Sequence, residues 1–347
     1  MSAFQQYLAT LPPTTTVLAV LAIAALYYIF SSPRKLPASS SQAIVISGCD
    51  SGLGLSVATT LHASGFTVFA GCLTAAGVKH LKALGEHMHA FPLDITKERD
   101  VEEAVQSQVR PWLEKRGKQP RTLHALINSA GIGSSGLVDW QSMDTFRKTL
   151  EVNFFGHVAM TKAFLPLLKA AAAAAAAAGA PPPRVVNITS MAGILAAPGL
   201  SSYCASKYAL EAFSDALRRE MAPWRLPVAI IEPSFLSTPI LHGVKERSQA
   251  LWDSLSPDTQ GSWGREYFEA SLRSSARIVQ SAEPPSLGVA AIVQAVVHWQ
   301  PSARYRAGTP ATTYLPLLAA LPAWASDPII AGSSPRAVPA GFKAAQA

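Results

Sequence analysis

From residue 42 onward, short runs of β-branched and apolar residues alternate with longer amphipathic stretches. The runs at 43–47, 66–72, 88–93, 123–128, 184–189 and 227–232 have the length and side-chain types of strands. Between them, 53–63, 73–84, 98–115, 140–169 and 203–221 repeat their apolar positions with helical spacing. Strands that are apolar on both faces and separated by helix-length segments imply an α/β, doubly wound parallel sheet covered on both sides. After residue 232 the pattern loosens into a segment holding Trp252, Trp263, Tyr267 and Phe268, followed by a helix near 287–299.

Three stretches fall outside this alternation. Residues 1–33 carry no charged side chain, and 17–30 is unbroken hydrophobic sequence followed by Arg34 and Lys35. With Leu11 and Thr14 to Thr16 it reaches about 20 residues, enough to span a bilayer. It is expected to be an uncleaved single-pass anchor with the body on the cytosolic face, a cleaved signal peptide and a buried helix being the alternatives. The run of alanines at 170–178, ended by Gly179 and Pro181 to Pro183, reads as a helix extension and surface insertion over 170–183. Near the C-terminus, 313–330 is hydrophobic but interrupted by Pro316, Pro322 and Pro328. Such a stretch spans a membrane poorly and is expected to dock on the body or dip into a lipid surface. The expected organisation is an anchor and linker over 1–40, one body over 41–310 and a hydrophobic tail over 311–347.

Composition removes several function classes. With 49% hydrophobic and only 15% charged residues, the chain is not of the disordered type. Its net charge of +7 raises the question of nucleic acid. The basic residues, however, are scattered, as in Arg34 with Lys35 and Arg218 with Arg219, with no stripe of interleaved aromatics. No nucleic-acid partner is expected. Cys49, Cys72 and Cys204 are widely spaced and form no C-x-x-C, so neither a disulfide framework nor a zinc site is indicated. No metal is expected, and His87-Met88-His89 reads as surface sequence.

The chemistry is carried by motifs in sequence order. Ser47-Gly48-Cys49-Asp50-Ser51-Gly52-Leu53-Gly54 follows the first strand and opens the first helix. Glycines there let the backbone turn tightly and approach a pyrophosphate, which the helix N-terminus attracts. This turn resembles the T-G-x-x-x-G-x-G motif of the short-chain dehydrogenase/reductase family, with Ser47 where threonine is usual. Asp94, in Leu93-Asp94-Ile95-Thr96, is similar to the family's adenine-contacting aspartate. Asn128-Ser129-Ala130-Gly131 resembles its N-N-A-G, and Pro233-Ser234 its Pro-Gly after the sixth strand. The resemblance covers about 42–240 and implies a Rossmann-type fold. It implies a cofactor site built from Ser47, Gly48, Ser51, Gly52, Leu53, Gly54, Cys72, Asp94, Ile95, Asn128, Ala130, Gly131, Pro233 and Thr238, completed by Tyr203 and Lys207. Thr238 corresponds to the threonine that contacts the nicotinamide carboxamide.

Tyr203-Cys204-Ala205-Ser206-Lys207 puts a phenol and an ammonium at i and i+4 on one helical face. A phenol with pKa near 10 is a poor base at neutral pH, and lowering it by about three units takes roughly 4 kcal/mol. The Lys207 ammonium and the positive charge of an oxidised nicotinamide are expected to supply this. Ser190, at the end of the fifth strand, is expected to donate to the substrate oxygen where negative charge develops. The resemblance assigns Asn153, in Val152-Asn153-Phe154-Phe155-Gly156, to a water-mediated proton relay through Lys207. It implies homodimers or homotetramers formed through the helices that hold Asn153 and Tyr203.

The end of the second strand, where acid or base sorts NAD from NADP, carries Cys72-Leu73. Position 51 is Ser51, where many NADP-dependent relatives carry a base. NAD is therefore the expected cofactor, with NADP as the alternative. Gly48-Cys49-Asp50-Ser51-Gly52, Ala70-Gly71-Cys72-Leu73 and the stretch from Glu211 to Glu220 resemble a branch of the family with two substrate types. It includes membrane-associated retinol dehydrogenases, hydroxysteroid dehydrogenases and a mitochondrial 3-hydroxybutyrate dehydrogenase. Apolar Met191, Ile194, Leu195, Pro198 and Phe235 favour a lipophilic alcohol or ketone, retinoid or steroid in type. A small hydroxy acid needs a cation, for which Lys245, Arg247 or Arg265 could serve. The branch implies an endoplasmic reticulum membrane, with the mitochondrion as the alternative. A cofactor-binding scaffold without turnover is the remaining reading.

Overall fold

A computed structural model describes residues 34–115, 120–332, 335 and 337–346, with Leu18 alone before them. The anchor expected over 17–30 lies, apart from Leu18, outside the described residues. Strands β1 (Gln42–Ser47), β2 (Thr67–Cys72), β3 (Met88–Pro92), β4 (Thr122–Asn128), β5 (Arg184–Ile188), β6 (Val228–Pro233) and β7 (Arg304–Ala307) form one sheet. The order is β3-β2-β1-β4-β5-β6-β7 and every pairing is parallel. The order reverses between β1 and β4, and the crevice beyond the carboxyl ends of those strands is where such sheets bind ligands.

Strand alternation sorts the core into two layers. Ile44 and Ile46 of β1 pack with Val57 and Leu61 of α1 (Gly52–Ala63) and with Ile292. Ala43 and Val45 point the other way, toward Val101, Phe164 and Leu217. Helix α2 (Ala75–Lys82) follows β2. The two long helices expected over 98–115 and 140–169 lie on this second face and contain a π-type stretch each. Helices α3 (Glu98–Glu103) and α4 (Arg110–Glu114) flank one over Ala104–Val109. Helices α5 (Met143–Leu150) and α6 (Gly156–Ala177) flank the other over Glu151–Phe155. The 143–177 stretch is long and apolar enough to cross a membrane by length and composition, yet its Met160, Phe164 and Leu168 are buried against the sheet. The alanines extend α6 to Ala177, and Gly179 with φ +60° follows. Helix α7 (Ser201–Glu220) packs against α5 and the Glu151–Phe155 stretch.

Three features depart from the sequence expectation. Strand β7 reads poorly as a strand because two of its four residues are arginines, Arg304 and Arg306. Both are drawn in by Glu232, a fully buried carboxylate of β6, at 2.8 and 3.0 Å. The loose segment after 232 is ordered into α8 (Val244–Asp253), α9 (Pro257–Trp263) and α10 (Arg265–Gln280). These close over their own aromatic core, in which Trp252 stacks on Phe268 with ring centroids 4.6 Å apart and Trp140 meets both. Helix α11 (Ser286–Val297) then returns to the sheet. His89, read as surface sequence, instead stacks on Phe69. In the tail, helices α12 (Thr309–Thr312), α13 (Tyr314–Ala320) and α14 (Ala323–Ala331) leave Leu317, Trp324 and Ile329 exposed.

Candidate active site

The turn from β1 into α1 is shaped by what its glycines leave empty. Gly48 has φ +75°, and a side-chain carbon there would lie 2.5 Å from Ala130 Cα. At Gly54 the same atom would collide with the Gly48 carbonyl. Gly52 has φ +59°, and the nearest atoms facing it are Pro239 Cδ at 3.4 Å and Thr238 Cβ at 3.9 Å. This leaves an open cradle beside the first turn of α1, whose N-cap Ser51 makes no side-chain capping bond. A helix N-terminus with unpaired N–H groups and a glycine-lined approach fits a pyrophosphate.

Ser47 holds the neighbouring wall in place. Its hydroxyl accepts from the amides of Ser129 and Ala130 at 3.2 and 3.3 Å, tying β1 to the end of β4. The fully buried Asn153, on the π-type stretch, clamps the next residues. Its Oδ1 accepts from Ile132 N–H at 2.8 Å, while Nδ2 donates to Ile132 O at 3.0 Å and to Ser206 Oγ at 3.1 Å. One turn on, buried His157 meets Ala130 O at 2.6 Å. Burial pushes its imidazole down to about 3, so it is neutral. Sequence reasoning missed His157, although its position four residues after Asn153 signals the same helix face.

These elements converge on α7. A side-chain carbon on Gly131 would lie 3.4 Å from Asn153 Oδ1 and 3.9 Å from Lys207 Nζ. Lys207 is buried, and its ammonium donates to Ile188 O, the end of β5, at 3.0 Å. Burial pulls the ammonium down to about 8, opposed by the Glu211 carboxylate one turn further on. Ser190 follows β5; its hydroxyl accepts from Ala192 N–H at 3.1 Å and lies 3.5 Å from Pro233 O. Gly193 lets this Ser190 turn press onto α7, because a side-chain carbon there would meet Lys207 O and Glu211 Cγ, both at 2.9 Å.

Tyr203 departs from the expected electrostatics. Desolvation pushes its phenol up to about 12, with a hydrogen bond to Ser190 pulling the other way. The Lys207 ammonium lies 5.8 Å from the ring centroid and is committed to Ile188 O. In the protein alone the phenol is therefore protonated, and positive charge brought in with a cofactor would pull it down together with the Lys207 ammonium beside the ring.

Other expected cofactor contacts divide into two groups. Thr238 faces Gly52 across the cradle, and Pro233 ends β6 beside Ser190. Asp94 spends its Oδ1 on the Thr96 amide and hydroxyl, which hold its carboxyl below the ordinary range. Asn128 turns its amide into the fold, donating to Thr161 Oγ1 at 3.0 Å and Asn187 Oδ1 at 2.8 Å. Ile95 packs where a side chain at Gly156 would sit. Cys72 is buried in the core, and the exposed residue at the end of β2 is Leu73. Ser234, which replaces a glycine of the family pattern, keeps a negative φ; Gly308, with φ +101°, supplies the room opposite, and Ala307 O and Glu283 take the hydroxyl at 3.2 and 3.4 Å.

A nucleotide cradle whose far wall presents a serine, a tyrosine and a lysine defines a dinucleotide-dependent oxidoreductase. A family model described as short chain dehydrogenase matches residues 42–249, and the chain belongs to this family. It is an enzyme acting on CH–OH groups with a nicotinamide cofactor. The mitochondrial D-beta-hydroxybutyrate dehydrogenase of Mus musculus is 38% identical, over 81% of this chain and 78% of its own. Retinol dehydrogenase 5 of Mus musculus is 36% identical, over 90% of this chain and 94% of its own. Among solved structures, a Burkholderia phymatum short chain dehydrogenase/reductase in complex with NAD is similar in fold. Its TM-score is 0.63 at 19% identity, covering 86% of this chain and 97% of that one. A Burkholderia cenocepacia short chain dehydrogenase in complex with NADP has a TM-score of 0.58 at 23% identity, covering 80% and 92%.

Proposed function

We propose that this enzyme transfers a hydride between a secondary or primary lipophilic alcohol of retinoid or steroid type and its ketone or aldehyde, with NAD as the preferred cofactor. When bound, the nicotinamide supplies the hydride acceptor or donor. Tyr203 Oη takes the alcohol proton, and Ser190 Oγ donates to the oxygen as negative charge grows on it. Lys207 stabilises the phenolate and binds the ribose hydroxyls. Asn153 fixes the wall at Ile132 and links Lys207 to the proton path. The carrying observation is the convergence of Gly131, Asn153 and Lys207 at the end of β5, beside Ser190 and Tyr203.

The lipophilic substrate is supported by what the candidate cations do. Arg247 donates to the carbonyls of Ile240 and His242, and Arg265 pairs with Glu269 at 3.1 Å. Lys245 is exposed, whereas a carboxylate drawn into an apolar pocket needs a buried partner. The second reading, a 3-hydroxybutyrate dehydrogenase, is favoured by the 38% identity to the mouse enzyme of that name. Purified protein is to be assayed with retinol, hydroxysteroids and 3-hydroxybutyrate, each with NAD and NADP, following reduced-cofactor absorbance. Turnover of a lipophilic alcohol with NAD is expected; turnover confined to 3-hydroxybutyrate overturns the substrate class.

Membrane association is part of the same proposal. The uncharged stretch over 1–33 supports a single-pass anchor in the endoplasmic reticulum, and the exposed apolar side chains of α13 and α14 support contact with lipid. The mitochondrion is the alternative, which the mouse relative's name favours. Subcellular fractionation with protease protection separates the two. Self-association through α5, α6 and α7 is supported by the half-exposed Phe155, which lines an open groove with Val105 and Val158. Light scattering reads the resulting dimer or tetramer.

A further inference from the structure

Asp50 lies in the turn between β1 and α1, yet its side chain serves the end of β2. Oδ2 accepts from the Leu73 amide at 2.7 Å, and Oδ1 accepts from the Thr74 amide at 2.8 Å and the Thr74 hydroxyl at 2.6 Å. Thr74 is also the N-cap of α2, its hydroxyl accepting from the Gly77 amide at 3.1 Å. A side-chain carbon on Gly77 would lie 2.7 Å from Asp50 Oδ1, so the glycine is what lets the carboxylate rest against the start of this helix. Three donors and the positive end of a helix thus form an anion cradle, and the chain's own carboxylate fills it.

The end of the second strand is where a dinucleotide's ribose hydroxyls lie, and where NADP would bring its 2′-phosphate. A phosphate arriving there finds its donors taken and a fixed negative charge beside them. We propose that Asp50 is an internal anion that occupies the 2′-phosphate subsite and makes this enzyme discriminate against NADP. Sequence reading placed selectivity on Cys72, Leu73 and Ser51; the structure assigns it to a residue one position earlier in the turn, reaching across the sheet. Its charge is also felt by Cys72, whose thiol is pushed up to about 12, mainly by burial and further by Asp50. The inference rests on the reading of this cleft as a nicotinamide dinucleotide site with NAD preferred.

The test is binding, not turnover. NADH and NADPH are titrated by fluorescence into wild-type protein, Asp50→Asn and Asp50→Ala, with melting temperatures recorded alongside. Asp50→Asn keeps a short polar side chain in the cradle and removes the charge. It is expected to bind NADPH about tenfold more tightly relative to NADH, the size of effect carried by one charge-assisted contact. Asp50→Ala frees all three donors and is expected to shift the ratio at least as far. An unchanged ratio in a variant that melts like wild type overturns the proposal and leaves Asp50 a brace between two loops. So does a parallel loss of affinity for both dinucleotides. Competition in the wild-type protein keeps the test open should both variants fail to fold. Adenosine 2′,5′-bisphosphate is expected to bind about tenfold more weakly than 5′-AMP, and equal or tighter binding overturns the proposal. If the wild type binds neither dinucleotide, the cofactor reading itself fails, which is a different result from an unchanged ratio.

Discussion

Strand β5 has a buried cation at each end, and the two are held differently. Arg184 opens the strand, fully buried. Its guanidinium donates to Val296 O and to Pro182 O and lies 3.0 Å from His124 Nε2. Lys207 reaches the other end at Ile188 O, with Glu211 behind it. Burial lowers both, Arg184 to about 10 and Lys207 to about 8. Only the lysine is thereby brought to where a proton can leave near physiological pH. A guanidinium spread over backbone carbonyls is a fixed strut. An ammonium with one carbonyl and one carboxylate is adjustable, and the enzyme places the adjustable one next to the phenol.

Removing each cation should have opposite consequences. Lys207→Met is expected to cut turnover by roughly 10³-fold or more, the scale of acid–base assistance, while the melting temperature holds, relief of a costly buried charge offsetting the loss of one donor to Ile188 O. Arg184→Met is expected to leave turnover of the folded protein unchanged and to cost on the order of 3 kcal/mol of stability by denaturant titration, because buried carbonyls lose their donors. Turnover that falls in the arginine variant, or stability that falls in the lysine variant, would erase the contrast.

Both ends also bury a neutral histidine. His124 beside Arg184 and His157 beside the site are each lowered to about 3, chiefly by burial. Their folded values lie below the unfolded value near 6.5, so their contribution to stability is complete above that pH. It is lost as pH falls toward 3, where the unfolded chain has taken up protons that the folded chain resists. Melting temperature should therefore drop through this window. His124→Phe should flatten the drop without touching turnover, and His157→Phe should flatten it and lower turnover.

The smallest expected effect concerns Glu211. Its carboxylate, held by Arg304 at 3.0 Å, opposes the depression of Lys207. Glu211→Gln should move the alkaline limb of the turnover–pH profile downward by about one unit or less. An unmoved limb would detach Glu211 from the lysine.

Much of the scaffold was legible because hydrophobic periodicity and the helical repeat are local signals. Six strands and the helices between them fall within a few residues of where alternation puts them. Strand β7 was hidden because its arginines become strand residues only when Glu232, Glu211 and Asp215 neutralise them, a contact across many intervening residues. The aromatic helices α8 to α10 were hidden because Trp140, far upstream, completes their core. At the site, the i, i+4 spacing of Tyr203 and Lys207 and the family resemblance pointed to Ser190, Tyr203, Lys207 and Asn153, which the fold brings to neighbouring elements. What spacing could not give is direction: that Asn128 turns inward, that Cys72 faces the core while Leu73 is exposed, or that Asp50 crosses to another strand. The phenol's elevation was equally hidden, because it comes chiefly from burial, which is a tertiary property. Adjacency at i and i+4 is visible in sequence, but the ammonium's commitment to Ile188 O is tertiary.

The central claim is that Tyr203 Oη moves the substrate proton, and Tyr203→Phe tests it with one atom removed per molecule. The account predicts that turnover falls by about 10³-fold or more while NADH fluorescence titrates as in the wild type and the melting temperature is unchanged. Turnover within about tenfold of wild type, at any pH, would contradict it.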